Sequence, residues 1–157
     1  MKKFLLLIIL LPLIVDANQE LRRTWYFGDE QNPVIQQNEP IIFYLDLDVA
    51  AGKAGEVEEF VDYLVNAVKE TEPKTMYYKY WISSDMKKVS LIEMYYSNED
   101  AIYHMNAFAE APHRDRFLET FLVTNFQVLG DTNEELKEAM AAYTDDHRTL
   151  INGFKRK

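Results

Sequence analysis

The chain of 157 residues contains no cysteine. That excludes disulfides, thiolate metal ligands and a cysteine nucleophile, and leaves core packing or subunit association to supply stability in an oxidising compartment. Histidine is almost as scarce. His104, His113 and His147 are the only three, and they lack the tight spacing of a transition-metal site, so no metal is expected. The acidic neighbours Asp145 and Asp146 offer at most a weak contact for a hard cation. No glycine-rich phosphate loop, nucleophile elbow or HExxH motif occurs, which removes nucleotide-dependent, hydrolase and zinc-protease chemistry. Basic residues are outnumbered, 17 against 26 acidic, for a formal charge of −9. Nucleic acid and anionic membrane both require a basic footprint and are not expected as partners.

Long hydrophobic runs are absent apart from one, at the start. MKKFLLLIILLPLIVDA pairs Lys2 and Lys3 with an apolar stretch from Phe4 to Ile14 and reads as a secretory signal peptide. The stretch falls well short of the roughly 20 residues that span a bilayer. Val15 and Ala17 suit the small positions before a cut between Ala17 and Asn18, and no cysteine is present for a lipid anchor. The expectation is an exported protein, periplasmic or secreted, with no membrane insertion after cleavage. Residues 18 to 157 number 140, carry a formal charge of −10 and suffice for one domain.

Residues 18 to 39 are polar, with one aromatic cluster at Trp25, Tyr26 and Phe27, and read as an irregular arm. From residue 40 the pattern changes. Phe43, Leu45, Leu47 and Val49 alternate with Tyr44, Asp46 and Asp48, as in a strand. After Ala50, Ala51 and Gly52, the positions Val57, Phe60, Val61, Leu64, Val65 and Val68 recur at steps of three and four, as in an amphipathic helix that ends before Pro73. TMYYKYWI and VSLIEMYY, joined by the short SSDMKK, read as an antiparallel hairpin. Ser97 with Asp100 predicts a helix carrying Ala101, Ile102, Met105 and Phe108. Pro112 opens another, with Phe117, Leu118, Phe121 and Leu122 as its apolar face. FQVLG predicts a strand over 126–130, Thr132 with Glu135 a capped helix bearing Leu136, Met140 and Tyr143, and TLINGF a last short strand.

The order is strand, helix, strand, strand, helix, strand, with a helix and a strand appended: an α+β chain with a ferredoxin-like antiparallel sheet and helices on one face. The aromatic opposite face needs a cover, and a second copy of the chain in a homodimer is the simplest one.

The stretch EPKTMYYKYWISSD followed by LIEMYYSNEDAIYHMNAF resembles the antibiotic biosynthesis monooxygenase domain family. The matching places are Glu72 and Pro73 in a Glu-Pro-Gly type turn, Tyr78 on the next strand, Glu93 and Tyr95 in an Ile/Leu-Glu-x-Tyr strand, and His104 on the helix after it. Gly52 and Lys53 fit a Gly-Lys start, and NGFKR a Gly-Phe-x-Arg ending. The likeness runs over roughly residues 40 to 154. Lys74 departs from it, standing where the pattern has glycine. The resemblance implies a dimeric α/β barrel with a cavity between sheet and helices. It also implies, as one activity within the family, a monooxygenase that oxidises a quinol or similar aromatic without metal or flavin.

Such chemistry needs a base, a hydrogen-bond donor for the resulting oxyanion and an apolar pocket. On the resemblance, His104 and Glu93 are the catalytic candidates. Tyr78 and Tyr95 are candidate donors to the ligand, and Trp81, Phe60 and Met105 candidate pocket walls. Glu93 interrupts an apolar strand, so it must be paired, protonated or open to a cavity; a structural bond to Lys79 or to the His104 helix is the alternative. No cofactor is expected on this reading. Haem is the alternative within the same fold, with His113 as ligand and Asn106 and Trp81 beside it. A non-catalytic dimer that binds a small apolar ligand is the third reading.

Overall fold

A computed structural model describes residues 39 to 154. The leader expected at 1–17, and the arm expected at 18–39 with its Trp25–Phe27 cluster, lie outside the described residues except for Glu39. Strand β1 (Ile41–Val49) has the alternation that its sequence predicts: Ile41, Phe43, Leu45 and Leu47 are buried, and the residues between them are half-buried. The strand is followed by Gly52, whose φ of +82° is open to glycine without strain, and then by a single 3₁₀ turn. Helix α1 (Val57–Thr71) follows and buries Val57, Phe60, Leu64 and Val68.

Strands β2 (Thr75–Ile82) and β3 (Lys88–Tyr95) form the expected antiparallel hairpin. Lys74 takes the turn between α1 and β2 without strain, since Met86 is the only non-glycine with positive φ among the described residues. The turn therefore does not demand the glycine that the family pattern carries. On β3, Val89, Leu91, Glu93 and Tyr95 face inward, while Ser90, Ile92 and Met94 face out. Glu93 thus sits in an otherwise apolar row, flanked in register by Phe43 of β1 and Tyr78 of β2.

Helix α2 (Asn98–Glu110) opens at Ser97, whose hydroxyl accepts the Asp100 N–H at 3.2 Å. Ser97→Ala removes that cap and is expected to cost about 1 kcal/mol in urea denaturation. Helix α3 is shorter than the sequence suggests, Arg114–Thr120, and Phe121 and Leu122 belong instead to strand β4 (Phe121–Leu129). The reason is local. Thr120 returns its hydroxyl to the Arg116 carbonyl, Phe121 is already extended at φ −125° and ψ 128°, and the β-branched Val123 and Thr124 continue the strand. The register between β1 and β4 slips at Asp46/Leu47, so that Thr124 is an extra residue, and Val123 and Phe126 both line the inner cavity although they are three residues apart.

Helix α4 (Glu134–Met140) is capped by Asn133, not Thr132: its Oδ1 accepts the Leu136 N–H at 2.9 Å. Tyr143 lies beyond the helix end. The last strand is displaced as well. β5 consists of His147 and Arg148, parallel to β4, and most of TLINGF is exposed coil. The sheet order is β2-β3-β1-β4-β5, antiparallel but for its last pair, with helices against the face that carries Phe43, Leu45, Leu91 and Glu93. This is the α+β, ferredoxin-like arrangement expected from the sequence.

Candidate functional site

Three ionisable side chains from three elements meet under the sheet. Glu72 ends α1, where its charge gains nothing from the helix dipole, and it is nonetheless buried at 6% exposure. His104 is buried on α2 at 5% and Glu93 on β3 at 4%. His104 Nδ1 donates to Glu72 Oε2 at 2.7 Å, and its Nε2 lies 3.6 Å from Glu93 Oε2. Two outer bonds fix the carboxylates: Thr75 Oγ1 donates to Glu72 Oε2 at 3.0 Å, and the Tyr95 hydroxyl donates to Glu93 Oε2 at 2.7 Å. The imidazole is held from one side by Glu72, which turns Nε2 toward Glu93. The same logic orients a histidine in an acid–histidine–nucleophile triad.

Electrostatics make this array a store for a proton. Burial opposes the imidazolium, but the charge of Glu93 and the bond and charge of Glu72 outweigh it and hold the His104 pKa above the ordinary value. Burial also lifts Glu93, against the pull of His104 and the bond from Tyr95. Tyr78 and Tyr95 are both driven well above the ordinary phenol range, first by burial and then by neighbouring charge, so they remain neutral donors. The Tyr78 and Tyr80 hydroxyls share a hydrogen bond of 2.8 Å.

Two members of the array, Glu93 and His104, line one end of a cavity of about 220 Å³. Glu93, His104 and Tyr78 supply its polar end; Leu45, Leu91, Met105, Phe108, Phe117 and Phe126 supply apolar walls. Leu118, Val123 and Tyr143 at the other end are exposed, which marks the mouth.

Of the residues singled out in the sequence, His104, Glu93, Tyr78 and Met105 come together here, with Tyr95 bonded behind Glu93. Phe60 and Trp81 lie elsewhere. Phe60 is fully buried in α1, against Tyr63 and Phe121, and Trp81 is 46% exposed on the other face of the sheet, stacked on Tyr77. Lys79, also considered as a partner of Glu93, instead covers the Tyr77 ring at 4.7 Å. The residues of the haem reading are scattered in the same way. His113 packs beside Tyr63 and Phe108, Asn106 is exposed, and Trp81 is across the sheet, so the three do not form one haem pocket. Glu72 was matched in the sequence only as part of the turn before β2, and not as a site residue. Its signal was available: a carboxylate at a helix C-terminus is unfavourable there and asks for another partner.

No family model matches the sequence, and no curated protein matches it. Solved structures do. MupZ from Pseudomonas fluorescens superposes with a TM-score of 0.66 at 15% identity, over 76% of this chain and 96% of that one. The two share a fold. Weaker superpositions include two candidate antibiotic biosynthesis monooxygenases. The one from Nitrosomonas europaea has a TM-score of 0.47 at 18% identity, over 62% of this chain and 95% of that one. The one from Bacteroides thetaiotaomicron has 0.46 at 14%, over 76% and 97%. At this level of identity the comparison with MupZ shows the fold alone, the same α+β, ferredoxin-like arrangement.

Proposed function

We propose that this protein is a monooxygenase that oxidises a small quinol or similar hydroxylated aromatic, with the Glu93–His104 pair as the base. The observation that carries the reading is the buried Glu72–His104–Glu93 array at the closed end of an apolar cavity. A quinol reacts with oxygen most readily as its anion, so the first task is to remove a hydroxyl proton. The pair lies where a hydroxyl entering from the mouth would reach it, and Tyr78 at the same end offers a neutral donor to the oxyanion. Overall, quinol plus O₂ gives a hydroxylated quinone plus water: one oxygen atom enters the ring and the other leaves as water.

Size argues for a small ligand. About 220 Å³ lies below the roughly 300–1,000 Å³ of drug-sized sites, which suits one or two fused rings and not a macrocycle. The same reading places the active unit in a homodimer, because the outer sheet face carries Ile92, Met94 and the exposed Trp81, and in an exported location, because of the apolar leader. Sedimentation of the purified protein is expected to give twice the chain mass, and a monomer at micromolar concentration would remove the dimer.

The activity is tested by oxygen uptake with a panel of reduced one- and two-ring quinols. Uptake well above autoxidation for at least one quinol is expected; uptake equal to autoxidation for all of them would leave a non-catalytic ligand-binding protein as the better reading.

A further inference from the structure

The His104 ring has a second side. Beyond the Glu72 bond lies another cavity, about 350 Å³, lined by Thr71, Glu72, His104 and His113 together with small apolar residues such as Ala67 and Ala107. Thr71, Tyr63 and Pro112 at its rim are exposed, so it opens to solvent on the helix side, whereas the ligand cavity opens at Leu118, Val123 and Tyr143. Of the array, His104 is common to both cavities, Glu93 borders the ligand cavity and Glu72 the second one. Tyr78 also touches both, but its phenol is held neutral and makes no bond to the His104 ring.

Resting on the function proposed above, we infer that Glu72 is the proton outlet of the site, passing to the second cavity the proton that Glu93 and His104 take from the ligand. The chemistry creates the need. A hydroxylated quinone is a vinylogous carboxylic acid and leaves as its anion at neutral pH, so each turnover releases one net proton: quinol plus O₂ gives hydroxyquinone anion, water and H⁺. The ligand cavity is walled mainly by apolar side chains and opens past Leu118 and Val123, so it offers that proton few polar groups on the way out. The bonded line Nε2, imidazole, Nδ1, Glu72 Oε2 does, since the ring gains a proton at Nε2 and yields one at Nδ1. His113, on the wall of the second cavity, is pushed below the ordinary imidazole value, first by burial, so it sets no positive charge against a proton leaving Glu72. The groups that face His104 are Glu72 from the end of α1, Tyr78 from β2, Glu93 and Tyr95 from β3, and His113 from the start of α3. Of these, only Glu72 is both bonded to the ring and open to the second cavity. Glu72 touches no ligand, so it is a positioning and relay residue.

The test separates proton transfer from proton exit. 4-Nitrophenol is mixed with the full chain below the phenol's own pKa, and two signals are followed in stopped flow: phenolate absorbance, and proton appearance reported by a red-absorbing indicator. In wild type the two are expected to rise together. In Glu72→Gln, which also loosens the hold on His104, less phenolate forms, and proton appearance lags behind the phenolate that does form by at least about tenfold. In Glu72→Ala, formate entering the second cavity restores it, which a purely structural role would not allow. Proton appearance unchanged in Glu72→Gln, or slowed together with phenolate formation and indifferent to formate in Glu72→Ala, would overturn the outlet alone. Absence of phenolate in wild type would withdraw the outlet together with the functional reading beneath it.

Discussion

Replacing Glu93 by glutamine is expected to lower quinol-dependent oxygen uptake by about 10²- to 10⁴-fold, the usual worth of a positioned base. The substitution keeps the shape of the side chain and its bond from the Tyr95 hydroxyl, which is 2.7 Å in the native site. What it removes is the charge 3.6 Å from His104 Nε2. Two consequences follow from the electrostatics. The His104 pKa falls, because the charge that contributes most to holding it up is gone, and the ring is left with burial against it and Glu72 alone in its favour. The acid limb of the rate profile, set by deprotonation of the base, should shift to lower pH accordingly. Tyr95→Phe offers the complementary case. Without its hydroxyl bond Glu93 rises further in pKa, so the rate should fall less than in Glu93→Gln and recover with increasing pH. Steady-state oxygen uptake across pH, for the three proteins, checks both. Equal activity in wild type and Glu93→Gln would return Glu93 to a structural role.

The second large effect is on stability. His104→Ala leaves Glu72 and Glu93 buried and facing the space of a missing cation, and a loss of about 3–5 kcal/mol is expected, the scale measured when one partner of a buried pair is removed. The pH dependence has a definite sign. His104 has a raised folded pKa, so its contribution is fully present below the unfolded value of about 6.5 and is lost as pH rises through the folded value. Glu93 also has a raised folded pKa. The folded protein binds its proton more tightly than the unfolded chain, so stability declines as pH rises from the unfolded value of about 4.3 through the folded one. Both groups therefore favour the acid side. In urea denaturation, the advantage of wild type over His104→Gln should be larger at pH near 5 than at pH near 9. A difference that grows with pH would contradict the assignment of the proton to this array.

Much of the fold is legible because local signals agree with burial. β1 alternates strictly and buries every second residue, and α1 repeats at three and four and buries that stripe. Where the sequence misleads, two periods fit the same letters. Phe117, Leu118, Phe121 and Leu122 satisfy a helical spacing, yet Phe121 and Leu122 open β4, and only the extended backbone at Phe121 and the bulge at Thr124 resolve the choice. The cap at Asn133 and the short β5 at His147 and Arg148 depend on long-range partners. The Asn98 carboxamide accepts the Asn133 N–H, and the Asp146 carbonyl accepts the Val128 N–H.

The site divides in the same manner. Glu93 was visible as a carboxylate within an apolar strand, and His104 by its family position. Their partnership was not legible in full, because it needs the third member. Glu72 is 32 residues from His104 in sequence, and no spacing rule connects the end of one helix to the middle of another. Trp81 shows the opposite limit. Its place depends on strand parity near a bulge between Thr75 and Tyr77, and that parity carries it to the outer face.

The most direct test of the monooxygenase reading is a turnover under oxygen-18 gas, with the best quinol from the uptake panel and mass analysis of the quinone product. One oxygen-18 atom in the wild-type product, at a yield that collapses in Glu93→Gln, is the predicted result. A product that carries only the oxygens of the starting quinol, or labelling independent of Glu93, would contradict it.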